Sequence, residues 1–144
     1  MKYYSIPLLF SLLFVQAQPE LHQFSHDGLS REYYLYIPDS LVADAPLLFV
    51  FHGYSGSASG IMNYSGLNQI ADDNGFAVCY PQGLIDDWDY SFWNVGYDWH
   101  VDETVDDVGF ATSLAQYLQT DFNLSTQNTF STGMSNGGDM SYLL

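Results

Sequence analysis

Gly133-Met134-Ser135-Asn136-Gly137 is the stretch that decides how this chain is read. It fits the pattern G-x-S-x-G, in which a serine occupies a sharp turn between a strand and a helix. A serine hydroxyl is a poor nucleophile until it projects towards a base. The sharp turn provides that projection and leaves the serine backbone strained. Side chains two residues to either side would collide, so glycine is wanted at both flanks. Gly133 and Gly137 meet that need, and Gly138 is expected to let the following helix pack closely. Ser135 is therefore the candidate nucleophile.

The neighbouring sequence supplies the setting such a turn requires. A short strand is expected near residues 128–132, running into Gly133. Upstream, Val108, Ala111, Leu114, Ala115 and Leu118 recur at helical spacing, with Thr104, Asp106 and Asp107 at the front. Side-chain oxygens there can cap free amides, and negative charge suits the positive end of the helix dipole. Phe76 to Tyr80 reads as a buried strand closed by Pro81. Leu67, Ile70 and Ala71 share a helical face that stops at Asn74-Gly75. Leu47-Leu48-Phe49-Val50-Phe51 is apolar on both faces, which suits a central parallel strand covered by helices on each side. Arg31 to Ile37, rich in aromatic and β-branched residues, reads as a further strand ending at Pro38. Strands and helices that alternate in this way make an α/β fold, and with the serine turn they predict an α/β-hydrolase: a mainly parallel sheet flanked by helices.

His52-Gly53-Tyr54-Ser55-Gly56 directly follows the most apolar strand. In an α/β-hydrolase the loop at that place supplies one backbone amide of the oxyanion hole, and the residue after the nucleophile supplies the other. The candidate donors are the amides of Tyr54 and Asn136. His52 is expected to steady the loop rather than act as a base.

Several segments follow one another in a familiar order. They are 48–53 (Leu-Phe-Val-Phe-His-Gly), 80–84 (Tyr-Pro-Gln-Gly-Leu), Trp93-Asn94, 106–110 (Asp-Asp-Val-Gly-Phe) and 133–140 (Gly-Met-Ser-Asn-Gly-Gly-Asp-Met). Together they resemble the secreted polyhydroxybutyrate depolymerase and feruloyl esterase group, the LpqC-like esterases, from about Phe24 onward. The resemblance implies cleavage of carboxylic esters through an acyl-enzyme on Ser135, without a cofactor or metal. Its implied partner is an ester substrate, polymeric in some members: polyhydroxyalkanoate or feruloylated polysaccharide. Many depolymerase members carry cysteine after the His-Gly pair. Tyr54 stands there in this chain, which tilts the expectation slightly towards soluble or polysaccharide-linked esters.

One departure matters. In this fold the triad runs serine, acid, histidine along the chain. His22, His26, His52 and His100 all precede Ser135, and only residues 136–144 follow it. The chain is expected to be an N-terminal part of the hydrolase domain, residues 18–144, incomplete after the elbow and inactive alone. Two other readings stay open on the residues alone. One is a related serine peptidase; the other is a non-catalytic, acidic, secreted binding module.

Composition narrows the classes. Seventeen acidic residues stand against two basic ones, for a net charge of −15. Such a surface repels phosphate backbones and anionic headgroups, so nucleic acid is excluded as a partner and lipid attraction is disfavoured. Lys2 and the apolar stretch from Ile6 to Val15 read as an export signal, with cleavage expected after Ala17. The stretch is well short of the ~20 apolar residues that span a bilayer. Loss of Lys2 with the signal takes the charge from −15 to −16 and leaves Arg31 the only basic residue. The mature protein is expected outside the cytoplasm. Cys79 is alone and reads as a packed, inert thiol. A long loop is expected from Gln82 to about Glu103. Its Asp86, Asp87 and Asp89, with Asp102 and Glu103, are read as solvated charge rather than a calcium site, since no D-x-D-x-D-G loop is present. Trp88, Trp93 and Trp99 are candidates either for packing or for stacking on a phenolic or sugar group.

Overall fold

The computed structural model describes residues 17–144. The expected signal peptide, residues 1–17, lies outside the described residues apart from Ala17.

The doubly apolar run becomes the strand at the heart of the sheet. Strand β3 (Ala45–Phe51) pairs in parallel with β4 (Ala77–Pro81) on one side and with β7 (Leu124–Gly133) on the other. Its two faces go to two different cores. Leu47, Phe49 and Phe51 pack beneath helix α3 (Asp107–Asp121), against Phe110, Ala111, Leu114 and Leu118. Val50 packs on the other face with Val78 and Tyr80, against Ala58 and Ile61 of α1 (Ala58–Ser65) and Ala71 of α2 (Leu67–Asn74). Full burial of each large apolar side chain contributes about 1.5–3 kcal/mol. A run without polar alternation is what a strand covered on both sides requires. The result is a three-layer α/β/α sandwich.

Beyond β4 the sheet continues through β2 (Leu29–Tyr36) and β1 (Glu20–His26), giving the order β1-β2-β4-β3-β7. Both of these outer pairings are antiparallel. The hairpin joining β1 to β2 turns on Asp27 and Gly28, with φ of 49° and 75°. Two successive positive φ values match the right-handed twist of a tight hairpin, and Asp-Gly is a sequence that tolerates them. Strand β1 was not anticipated, although this dipeptide marks it.

Helix α1 was not anticipated either. Ser57 caps it by accepting from the Gly60 amide, and Gly66 ends it at φ 63° while opening α2. Strand β7 starts at Leu124, four residues before the expected strand. The expected loop from Gln82 to Glu103 holds a two-residue hairpin, β5 (Leu84–Ile85) with β6 (Ser91–Phe92), and a single 3-10 turn at Asp98–His100. Helix α3 begins as expected: the Asp106 carboxylate accepts from the Gly109 amide at 2.8 Å. Cys79 is fully buried, and burial pushes its thiol well above the usual range. No helix among the described residues is long and apolar enough to cross a membrane.

Candidate active site

Strand β7 ends at Gly133, and helix α4 (Asn136–Leu143) starts three residues later. Between them Ser135 has φ 53° and ψ −122°. A residue with a Cβ rarely adopts positive φ, and holding one there costs on the order of 1–3 kcal/mol. The flanking glycines explain how the chain tolerates so sharp a bend. A Cβ on Gly133 would sit 2.2 Å from the Gly137 carbonyl oxygen, and one on Gly137 would sit 2.3 Å from that of Phe51. Gly138 does not share this role. A Cβ there would meet nothing closer than 3.4 Å, so the tight approach of helix to sheet belongs to Gly137.

The loop after β3 lies against this bend. The Met134 amide donates to the Phe51 carbonyl at 3.2 Å, and a Cβ on Gly53 would stand 3.5 Å from Ser135 Cβ. Ser135, Gly53-Tyr54 and Asn136 are thus brought together, with Ser135 exposed. Neither the Tyr54 nor the Asn136 amide donates to another described residue, whereas the Ser55, Gly56, Gly137 and Gly138 amides all do. Two unspent donors flanking an exposed hydroxyl is the arrangement an oxyanion hole needs. A cavity of about 420 Å³ opens beside them, lined among others by Gly53, Ile61, Tyr64 and Met134.

His52 is engaged on both ring nitrogens. Nδ1 faces the Gly53 carbonyl at 2.8 Å, while Nε2 receives the Gly83 amide at 2.9 Å and Gln82 Nε2 at 3.1 Å. This pattern assigns the proton to Nδ1. Burial lowers the ring's proton affinity, opposed by its bond to Gly53. Gln82 also accepts from the Ala58 amide, the first of α1. A Cβ on Gly83 would collide with the Phe92 carbonyl at 2.2 Å. The Tyr-Pro-Gln-Gly segment is therefore the brace of the His52–Gly56 loop.

A second brace runs from the far side of the sheet. Arg31, buried, donates to Asp107 Oδ1 at 2.6 Å, and its guanidinium lies 4.0 Å above the Phe110 ring. Asp107 Oδ2 accepts the Asn94 amide at 2.7 Å. The adjacent Trp93 exchanges two hydrogen bonds with the Asn136 side chain, at 2.8 and 3.0 Å, and its indole N–H donates to the His52 carbonyl. The only basic residue expected in the mature chain is thereby linked to the serine bend through three consecutive partners. Asp107, at the front of α3, thus also fastens the loop through the Asn94 amide. Sequence reasoning assigned Asn136 a backbone role alone and missed its side chain. It also left Gln82, Asn94 and Arg31 without roles, although Trp93-Asn94 and the Asp106-Asp107 pair belong to the segments that carry the family resemblance.

Asp86 corrects an expectation. It is buried, not solvated. Its carboxylate accepts from the Tyr54 hydroxyl at 2.6 Å, the Trp88 and Tyr90 amides at 3.0 and 2.9 Å, and His100 Nε2 at 3.1 Å. Burial opposes its ionisation, but these four donors overcome that and bring it down to about 2. The same bond pushes the Tyr54 hydroxyl up to about 12. Trp93 is core, whereas Trp88 and Trp99 are more than half exposed. Among the described residues, the groups close enough to share a cation are His26, Asp27 and Asp106, at the hairpin turn and the front of α3. There His26 Nε2 lies 3.6 and 3.7 Å from the two carboxylates.

The model of one family, esterase PHB depolymerase, matches residues 30–144. The chain belongs to that family. It is 24% identical over 115 residues to the bifunctional acetylxylan esterase/xylanase XynS20E of Neocallimastix patriciarum, covering 80% of this chain and 16% of the relative. It is 26% identical over 131 residues to feruloyl esterase D of Neurospora crassa, covering 82% and 41%. The acetyl xylan esterase structure from Aspergillus awamori superposes with a TM-score of 0.60 at 21% identity, over 82% of this chain and 43% of that one. The chain spans less than half the length of each of these relatives. Likeness at that identity shows the fold, an α/β-hydrolase. Within the family, this member holds its His-Gly loop with Gln82, Trp93 and the Tyr54–Asp86 bond.

Proposed function

We propose that this protein is a secreted carboxylic ester hydrolase in which Ser135 is the nucleophile of an acyl-enzyme mechanism. The observation that carries the reading is the left-handed backbone of Ser135, set between two amides that donate to no other described residue. In the mechanism, the Ser135 hydroxyl adds to the ester carbonyl while a histidine takes its proton. The Tyr54 and Asn136 amides receive the developing oxyanion, each contributing about 3–4 kcal/mol at the transition state. The histidine then gives the proton to the leaving alkoxide, and water releases the acyl group by the same steps in reverse.

No histidine among the described residues is placed for this task. His22 and His26 lie on β1, at the opposite end of the sheet from β7. His52 has both nitrogens occupied, and His100 is buried beside Asp86. In this account the described residues therefore do not by themselves supply the base or its acid partner. The substrate class is an acetyl, feruloyl or hydroxyalkanoate ester, in keeping with the family and with the relatives' names. Export rests on the Lys2 and Ile6–Val15 pattern, and amino-terminal sequencing of the mature protein at Gln18 tests it.

The activity test uses the full-length protein, assayed with p-nitrophenyl esters and with peptide anilides. A stoichiometric burst of p-nitrophenol followed by turnover, with no anilide cleavage, is expected. Anilide cleavage would move the assignment to a peptidase. Calcium-dependent glycan binding with no serine reactivity would move it to a binding module.

A further inference from the structure

The proposed oxyanion amide of Tyr54 belongs to a residue whose own side chain is tied down at its far end. The Tyr54 hydroxyl donates to Asp86 Oδ2 at 2.6 Å, across 32 residues of sequence. Asp86 is itself held rigidly. Its amide donates to the Tyr90 carbonyl, and its Oδ1 caps the Trp88 and Tyr90 amides, so the 86–90 turn closes around the carboxylate. His100 Nε2 reaches the same Oδ2 at 3.1 Å, and both His100 and Asp86 side chains are essentially inaccessible to solvent. His100 is packed among the rings of Tyr54, Trp88, Phe92 and Tyr97, the closest being Phe92 at 4.5 Å between centroids.

A buried carboxylate with four donors, and no lysine or arginine among them, is costly to keep unless it holds something in place. What it holds is the one side chain of the His52–Gly56 loop that points back to the 84–92 hairpin. The loop's other anchors at its tip are backbone groups, the Gly56 carbonyl accepting from the Ser91 hydroxyl among them. Ser55, at φ 59°, donates its amide to the Ser91 carbonyl, and Gly56 bonds back to Gly53. Without the Tyr54 hydroxyl bond, the Tyr54 peptide is held only by that turn and by the ring's contacts with Tyr90 and His100, which leaves it room to tilt, and a misplaced donor stabilises an oxyanion poorly.

We infer that the buried Asp86–His100 pair is a positioning device for ester hydrolysis, fixing the Tyr54 backbone amide in the oxyanion hole through the Tyr54 hydroxyl. Asp86 and His100 are positioning residues: they act through Tyr54 and touch no substrate. The inference rests on the proposed ester hydrolysis and adds to it the part that aims one of its two donors.

The test is a kcat and KM comparison in the full-length protein. Tyr54→Phe keeps the ring and the backbone amide and removes only the anchoring oxygen. Its kcat should fall about 10-fold with KM within about twofold, because a misaimed donor weakens transition-state binding selectively. Asp86→Asn should do the same. The double variant should be no worse than either single one, since both cut one link. His100→Gln, which keeps a donor towards Asp86, should retain more kcat than His100→Leu. Should Asp86→Asn fail to fold, the Tyr54→Phe result and the His100 pair decide the matter. Folded variants with unchanged kcat, or effects that multiply in the double variant, would overturn the inference while leaving the esterase reading intact. A wild-type protein without ester turnover would instead remove the reading on which it rests.

Discussion

Ser135 carries a backbone conformation that its side chain disfavours, and the fold maintains it. The strain is relieved if the Cβ is removed. Ser135→Gly should therefore raise stability by about 1 kcal/mol in urea unfolding, after allowing for glycine's larger entropy loss, while Ser135→Ala should not. The two variants should be equally inactive, which separates the strain from the chemistry. Gly137 and Gly138 make a matched pair at the same scale. Gly137→Ala drives a Cβ to within 2.3 Å of the Phe51 carbonyl oxygen and 2.4 Å of that of His52. It should cost about 3 kcal/mol, because backbone rather than a flexible side chain must move. Gly138→Ala meets only ordinary contact distances and should shift the unfolding midpoint hardly at all.

Among the elements, the parallel core β4-β3-β7 was the most legible in sequence. Leu47 to Phe51 and Phe76 to Tyr80 are apolar throughout, and no other environment suits a strand without a polar face. Helix α3 was equally plain from its periodicity and its Asp106 cap. Strand β1 was hidden because Glu20, His22, Ser25 and His26 interrupt any alternation; its hydrophobic residues are few, and at an edge few are needed. Helix α1 was hidden for a related reason. Ser57, Ser59 and Gly60 resemble loop residues, and the helix is held by Ile61 and Ala58 against the sheet rather than by propensity. The serine bend and the His-Gly loop could be read because backbone geometry dictates their residue types. The braces could not, since Arg31 to Asp107 and Tyr54 to Asp86 join positions 76 and 32 residues apart. Arg31→Leu tests the longer brace: it strands Asp107 in a site with no solvent access and should cost about 3–5 kcal/mol. Asp107→Asn in the same background should recover part of that loss.

For the molecule as a whole, the titrating groups set a pH window. His52 has its proton affinity lowered by burial, so below the unfolded value of about 6.5 the unfolded chain binds more protons and stability falls with falling pH. Asp86, at about 2, adds a second loss as pH drops from about 4 through 2. At the other end, Tyr54 and Tyr80 are each raised to about 12, the first by its bond to Asp86 and the second by burial. Their contribution is complete below about pH 10 and is lost as pH climbs through 12. Urea midpoints should therefore rise from pH 2 to about 6.5, hold level to about 8.5, where the thiol of Cys79, raised by burial in the fold, starts to ionise in the unfolded chain, and then decline. Asp86→Asn should flatten the acid segment below pH 4. The arrangement of the whole places every candidate catalytic group of residues 17–144 at the carboxyl ends of β3 and β7, where adjacent parallel strands deliver a hydroxyl and two amides to one point.

The central claim is that this point is where an acyl group becomes covalently attached. Reacting the complete polypeptide with a fluorophosphonate and locating the adduct by peptide mass spectrometry examines it most directly. The account predicts one adduct, on Ser135, formed at an ordinary serine-hydrolase rate and absent from Ser135→Ala. Residues 1–144 alone should remain unlabelled. An adduct on another residue, or ester turnover that survives in Ser135→Ala, would contradict the account.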